Sequence, residues 1–415
     1  MGPQRKSPLL DPALLTFLAA MFFVEASRTM TTVQVPVYLR ELGADVRQIG
    51  LFFTVSLIFP LLLRIFGGWI SDLIGRLRAM LIGSIAGVLT YVAYAASSSW
   101  EMALLAPALL AVATALTIPS YYAYIADHTR ESVRGRVYGF AETSRTLAWI
   151  FSPPLGGFLA QRLGYRWMFA GAAVAGVIAS LIFILLRARS RTAEPTTGEA
   201  QPSLSSLRSS LGQMVTLAVG GGVITWILIA DGVRDSALKI SFDLMPVYLT
   251  DIAGMNNQQI GLLDGIFGIA WVVTSYPAGW LVDRTSERVS ISAGIALQLL
   301  ALAVFTLARG FEGFAFSWIL LGIGGAMLEP GFSSLIARGI PCHLRGITYG
   351  LVATSLGLFT LPFPWIGGQL WHLLGARAPF LITVGVGLLA LVPAWRKLAL
   401  PRAPEAAQAK SGRAP

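Results

Sequence analysis

The ionisable residues that interrupt the apolar stretches of this 415-residue chain fall into spaced sets. Glu25 and Arg28, and again Glu142 and Arg145, stand three residues apart and so share one helical face. Asp231, Asp235, Lys239 and Asp243 follow at four-residue steps, which on a helix makes a ridge about 18 Å long with Arg234 beside it. Three acids against two bases leave that ridge one negative charge in excess. Glu329, next to Pro330, adds another acid. A carboxylate held away from water without a full counter-charge can take up and release a proton near neutral pH, and fixed charges of this kind can grip an oppositely charged solute. The Glu25–Arg28 and Glu142–Arg145 pairs also read as a self-neutralised structural cluster. Asp243 and Asp264 also read as solvated rim residues. Tyr121, Tyr122 and Tyr124 supply either ligand contacts or interfacial anchors.

Bond-making chemistry is a poor match for this chain. Its three histidines (His128, His343, His372) sit in or beside loops without a nucleophile motif, and no GxxxxGK[ST] phosphate loop is present, so neither an enzyme nor direct use of ATP is expected. Cys342 is the only cysteine, which rules out an intrachain disulfide and a cysteine-based metal site. No cofactor is expected.

The elements that hold these charges are membrane spans. The chain is 55% hydrophobic and 13% charged, with a mean hydropathy of +0.68, more apolar surface than a soluble domain of this length can hide. Twelve apolar stretches of spanning length recur, at roughly 12–38, 48–70, 77–97, 101–125, 135–159 and 165–187, then 215–248, 258–282, 289–309, 313–337, 345–370 and 377–398. They are numbered spans 1 to 12 below. Backbone in lipid must bond to itself, so they are helices, and the period-2 alternation of a β-barrel is missing.

The second six spans repeat the first at an offset of 211. Gly68-Trp69 and Asp72 return as Gly279-Trp280 and Asp283, Arg134-Gly135 and Tyr138-Gly139 as Arg345-Gly346 and Tyr349-Gly350, and Gly156-Gly157 as Gly367-Gly368. One residue of slip occurs near Pro36 and Pro246, and with it Asp235 becomes the counterpart of Glu25. An even number of spans per copy places the pseudo-symmetry axis along the membrane normal. With the N-terminus inside, 20 of the 31 Lys and Arg residues are cytoplasmic, six lie in outer loops and five within spans. That bias accounts for the net charge of +10 through anionic lipid, without nucleic acid. Arg5-Lys6 precede an apolar run too long for a signal peptide, so span 1 is expected to be retained.

The turn between spans 2 and 3, GGWISDLIGRLR at 67–78, resembles the loop signature of the major facilitator superfamily: Gly68, Asp72, Gly75 and Arg76 match. The second copy keeps Gly279, Asp283 and Arg284 but has Ser286 in place of the later glycine. RGRVYG and RGITYG, opening spans 5 and 11 with Arg134 and Arg345, are similar to the family too. The resemblance covers 12–398 and implies an all-α membrane protein of 12 transmembrane helices in two six-helix pseudo-symmetric bundles: 1–187, a cytoplasmic linker 188–214, 215–398 and a cytoplasmic tail 399–415. It further implies that the Asp72, Arg76, Arg134, Asp283, Arg284 and Arg345 cluster latches the halves on the cytoplasmic side in the outward-facing state; a basic topogenic turn is the plainer reading.

In span 5, Gly139, Ala148, Ser152, Pro153, Gly156 and Gly157 follow the spacing of the pattern found in the drug–proton antiporters of that superfamily, with Ala148 and Ser152 replacing two glycines. Small residues allow close helix approach, and Pro153-Pro154 removes backbone donors. The membrane-embedded arginine that usually accompanies this pattern in span 4 is missing. The resemblance implies that spans 1 and 5 pack together and that spans 1, 4, 7 and 10 line a central cavity. The expected function is alternating-access transport in the inner membrane with both termini cytoplasmic, as a monomer: proton-coupled efflux of small amphipathic or cationic compounds. Transport of an anionic metabolite or a lipid, and a non-transporting sensor or assembly role, remain open.

Overall fold

The computed structural model describes residues 12–129, 131–189, 220, 222–339 and 357–398; the side chains of 64–69, 72 and 132 lie outside the described residues. Most of the linker at 188–214, the tail at 399–415 and the segment carrying Arg345 fall outside them as well.

Every described element is helical, and the helices order into the twelve expected spans. In the first half these are Pro12–Thr32 continued by Val35–Glu41, Val46–Ile74, Arg76–Ala96, Trp100–Ala103 continued by Leu105–His128, Glu131–Leu163 and Tyr165–Arg189. The second half has Val223–Ser241 continued through a 3-10 turn Phe242–Leu244 into Met245–Asp251, then Asn257–Arg284, Glu287–Leu307, Gly310–Gly339, Phe363–Leu374 and Ala378–Lys397. Nine of the described helices are long and apolar enough to cross a membrane. Large apolar side chains such as Leu62, Phe151, Val273, Leu307 and Leu389 stand exposed around the bundle, a surface suited to lipid rather than water.

Two departures from the sequence reading have simple causes. Spans 1 and 7 each break and restart, because Pro36 and Pro246 sit at the start of the second segment, where a missing N–H costs no helix bond. Asp243 therefore lies in the 3-10 turn, and the expected four-step ridge ends with the helix at Ser241. The one-residue slip belongs to the loop between spans 7 and 8. That loop runs from Ile252 to Asn256, whereas its counterpart runs from Leu42 to Asp45.

The repeat persists in the atomic detail. Asp45/Gln48 and Asn256/Gln259, 211 apart, both form capping boxes. Gly75, at φ +91°, ends span 2 in a backbone region that favours glycine, whereas Ser286 in the second copy is extended at φ −164°. Tyr38, Tyr94 and Phe169 pack edge to face and stacked at centroid distances of 4.9–6.4 Å, and their counterparts Tyr248, Phe305 and Phe380 pack edge to face and tilted at 4.7–5.2 Å. These aromatic clusters fill the core at the end of the bundle away from the termini, here called the far end.

Asp45, just outside span 2, shows what a cap does here. Burial raises its carboxyl, but the N–H groups of Gln48 and Arg47, with the Arg47 guanidinium, outweigh that and hold it below the ordinary carboxylate range. Asp45→Ala should cost about 1 kcal/mol, read as a lower Tm in detergent. A group lowered on folding stabilises above its unfolded pKa, so the Tm gap to wild type should close as pH falls through the carboxylate range.

Candidate functional site

Span 1 brings Glu25 and Arg28 to span 5, as expected from the sequence. The Arg28 guanidinium donates to Glu25 at 2.5 Å, and Arg145 approaches the same carboxylate at 3.7 Å while pairing with Glu142 at 3.0 Å. Two acids and two bases thus form one neutral network. Sequence reasoning missed its fifth member: Trp149 Nε1 donates to Glu25 Oε1 at 2.6 Å, and Arg28 lies over the Trp149 ring at 5.7 Å. Trp149 stands one helical turn beyond Arg145 on the same face, which was the available signal. Its ring also reaches the other half, meeting Phe267 and Trp271 of span 8 at 6.4 and 6.5 Å.

Span 7 divides its charges into two sets. Arg234 pairs with Asp231 at 2.6 Å and approaches Asp235 at 3.8 Å, so one cation serves two acids. Lys239 stands 4.0 Å from Asp243 at the 3-10 turn. Asp231, Arg234 and Glu329 line a cavity of about 390 Å³ together with Gln298, Phe267 and Trp271. Glu329 is exposed there, within electrostatic reach of Glu142 and Arg145 across the gap. Asp264, expected at a rim, lines a narrow cavity of about 50 Å³ with Val33 and Trp318, within electrostatic reach of Arg28. Of the three tyrosines, Tyr121 and Tyr122 line a second cavity beside Arg28 and Arg145, whereas Tyr124 stacks between Phe17 and His128 as packing.

At the far end the halves are joined. Arg40 bonds Asp251 at 2.8 Å, Gln34 donates to the Asn257 carbonyl at 3.0 Å, and Tyr165 donates to Asn257 Oδ1 at 2.9 Å. The Trp365 N–H donates to Thr54 Oγ1 at 3.0 Å. The span 5 glycines show why they are small. A Cβ on Gly156 would strike the Met30 carbonyl of span 1, within the half, and one on Gly157 would strike the Asn257 carbonyl of span 8, across the halves. Gly367 against Ile240 and Gly368 against Val46 repeat both contacts. Ser152 is buried, Pro153 presents its carbonyl to Gly261 of span 8, and Gly139 has open space.

At the terminus end the motif residues tie each half to itself. Arg76 reaches Asp127 at 3.7 Å and Ser71 Oγ at 3.2 Å, and Arg134 donates to the Ala126 carbonyl at 3.1 Å. In the second half the counterpart of Arg76–Asp127 is Glu287–Arg338, the same pair with its charges exchanged, at 2.5 Å. Asp283 and Arg284 are exposed, with Arg284 over Trp280. The side chains of Gly68 and Asp72, and all of Arg345, lie outside the described residues. Because Glu287 is 1% exposed, Arg338→Ala strands a buried carboxylate. It should cost about 2–3 kcal/mol, seen as a lower Tm that Glu287→Gln in the same chain partly restores.

Known proteins resemble this chain in sequence and in fold. The family model described as Major Facilitator Superfamily matches residues 17–232 and 235–415. The chain is 24% identical to the uncharacterized MFS-type transporter YqjV of Bacillus subtilis, over 92% of each. It is 22% identical to the quinolone resistance protein NorA of Staphylococcus aureus, over 86% of this chain and 89% of that one. In fold it matches the nucleoside transporter NupG at a TM-score of 0.77 and 13% identity, covering 92% of this chain and 98% of that one. A peptide transporter POT matches at 0.75 and 14%, covering 94% of both. With the duplicated bundle, the charged centre and the family match all in place, the chain belongs to the major facilitator superfamily of secondary transporters and resembles its drug–proton antiporter branch.

Proposed function

We propose that the protein exports small amphipathic or cationic compounds in exchange for protons. The observation that carries this reading is the charge of the two walls. Glu25 and Glu142 balance Arg28 and Arg145 on the first half. On the second, among the described residues, Asp231, Asp235, Asp243, Asp264 and Glu329 stand with Arg234 and Lys239, leaving three negative charges in excess when all are ionised. A cavity negative on one side and flanked by Phe267, Trp271 and Tyr122 attracts a cation with an apolar body.

Asp235 and Glu329 are the acids we assign to the exchange. Among the described residues, Asp235 shares its one close cation with Asp231, and Glu329 is exposed in the cavity. A proton arriving on either removes part of the field that holds the substrate, favouring release and return. The positive-inside bias supports cytoplasmic termini and an inner-membrane location, with bundles 1–187 and 215–398, linker 188–214 and tail 399–415. With that orientation the joined far end is the outside, and this conformation faces inward. The similarity to a protein named for quinolone resistance supports the export reading. Arg28 and Arg145, at the second cavity, favour an anionic metabolite as the other reading.

Reconstituted vesicles separate the two. Protein-dependent flux of a lipophilic cation, with no flux of a carboxylate of similar size, is the expected result. Flux of the carboxylate alone would replace export of cations with the anion reading.

A further inference from the structure

The second cavity, about 250 Å³, is a slot inside the first half. Phe17 of span 1 stacks against Tyr124 of span 4 at 4.2 Å, and Tyr91, which lines the slot, donates its hydroxyl to Ser27 at 3.3 Å. Between these, spans 1 and 4 part from Met21 to Arg28, a rise of about 10 Å. Span 3 forms the back wall. There a Cβ on Gly83 would strike the Ala113 carbonyl and Thr117, whereas one on Gly87 would meet, among the described residues, only the Ala113 Cβ, at 3.9 Å. Arg28, Arg145, Tyr121 and Tyr122 line the slot as well.

Polar groups in the slot are mostly used up: Thr114 donates to the Leu110 carbonyl at 2.9 Å, and Ser84 accepts from Ser180 at 2.8 Å. The Tyr121 hydroxyl is different. The residue is 2% exposed, and its hydroxyl has no hydrogen-bond partner among the described residues. A buried hydroxyl left unpaired is unfavourable unless something arrives to meet it. The group that fits is an acceptor, because Arg145 lies over the Tyr121 ring at 5.8 Å and Arg28 is nearby, and both favour the negative end of a dipole. An apolar cavity of about 150 Å³ holds one benzene ring, so this slot has room for two fused rings.

We infer that the slot is the specificity pocket for the flat aromatic part of the transported compound, with Tyr121 donating a hydrogen bond to a carbonyl-type oxygen on that part. The assignment deepens the export reading and rests on it: the ring system enters the first half while the charged end stays towards Asp235 and Glu329. Specificity would then be divided, ring and acceptor read by one half and charge by the other.

Three probes with the same cationic head test it by equilibrium binding to the purified protein: naphthoylcholine, the carbonyl-free naphthylpropyl-trimethylammonium, and the ring-free hexyltrimethylammonium. Gly87→Leu fills the slot and should weaken both naphthyl probes at least ~10-fold, leaving the hexyl probe within about two-fold. Gly87→Ala, whose Cβ meets only Ala113 among the described residues, keeps the fold if Leu does not and should show a smaller loss of the same pattern. Tyr121→Phe should weaken naphthoylcholine about five-fold and leave the naphthylpropyl probe unchanged, the size of one ordinary hydrogen bond. Equal losses for all three probes, or none, in the folded Gly87 variants would overturn the slot. Equal losses of both naphthyl probes in Tyr121→Phe would overturn the hydrogen bond. If neutral methyl naphthoate binds like naphthoylcholine and still responds to Gly87→Leu, the slot stands and the cation reading fails. Binding of no probe by the wild-type protein overturns both.

Discussion

Gly157→Ala will leave the protein folded and stop it transporting, whereas Gly156→Ala, one residue away, will weaken the fold itself. Successive helical positions face directions about 100° apart, and here that difference separates two kinds of contact. Gly156 lies against the Met30 carbonyl, inside a bundle that the proposed alternating-access cycle keeps packed. A methyl group there must push spans 1 and 5 apart, an overpacking cost of about 1–3 kcal/mol. Gly157 lies against the Asn257 carbonyl across the halves, and that contact breaks whenever the far end opens. Its methyl group burdens only the closed state, so each bundle keeps its packing while the equilibrium moves to the open one. The expected results are a lower Tm for Gly156→Ala, and for Gly157→Ala a Tm near wild type with transport down ~10-fold or more, since about 1.4 kcal/mol is tenfold. Fluorophores on Ser98→Cys and Arg309→Cys, in a Cys342→Ala background, should report a longer far-end distance in Gly157→Ala. An unchanged distance with full transport would show that this contact does not seal the far end. The same contrast is expected of Gly367 and Gly368.

The second large effect separates the two sets of acids. Glu25→Gln leaves Arg28 and Arg145 facing each other around an amide that cannot neutralise them. Glu25 is buried but the two arginines are part-exposed and Arg145 keeps Glu142, so the loss should cost about 1–3 kcal/mol, with reduced expression and Tm as the expected readouts. Asp235→Asn and Glu329→Gln remove charges that are partly exposed, Glu329 in the cavity itself, and that carry little packing. Together they bring the second wall from three negative charges to one. Cation flux should fall ~10-fold or more, while Tm changes little. Normal flux in the double variant, together with a stable Glu25→Gln that does not transport, would move the exchange to the first half.

Much of this fold is legible in the sequence because its signals are strong and doubled. Twelve apolar stretches, a 211-residue repeat and the turn motifs agree with each other, and Gly156-Gly157 and Gly367-Gly368 mark helix contacts found in both halves. The pairing of spans 1 and 5 through Glu25 and Arg145 follows from the family resemblance and the spacing of their charges. Three features were not legible. Trp149 is one aromatic among many until Glu25 is seen beside its indole N–H. Asp243 leaves the helical ridge because Pro246 restarts the helix three residues on, and periodicity alone cannot locate such a break. The slot behind Arg28 depends on where spans 1 and 4 part, a property of packing between segments some 90 residues apart.

The most direct test of proton-coupled export is proton release from inside-out vesicles carrying the purified protein, with an acid interior and a pH dye, on addition of a lipophilic cation. The account predicts protein-dependent release with the cation, none with a carboxylate of similar size, and none from Asp235→Asn/Glu329→Gln. Cation uptake that proceeds at the wild-type rate with no proton leaving the vesicle would contradict it.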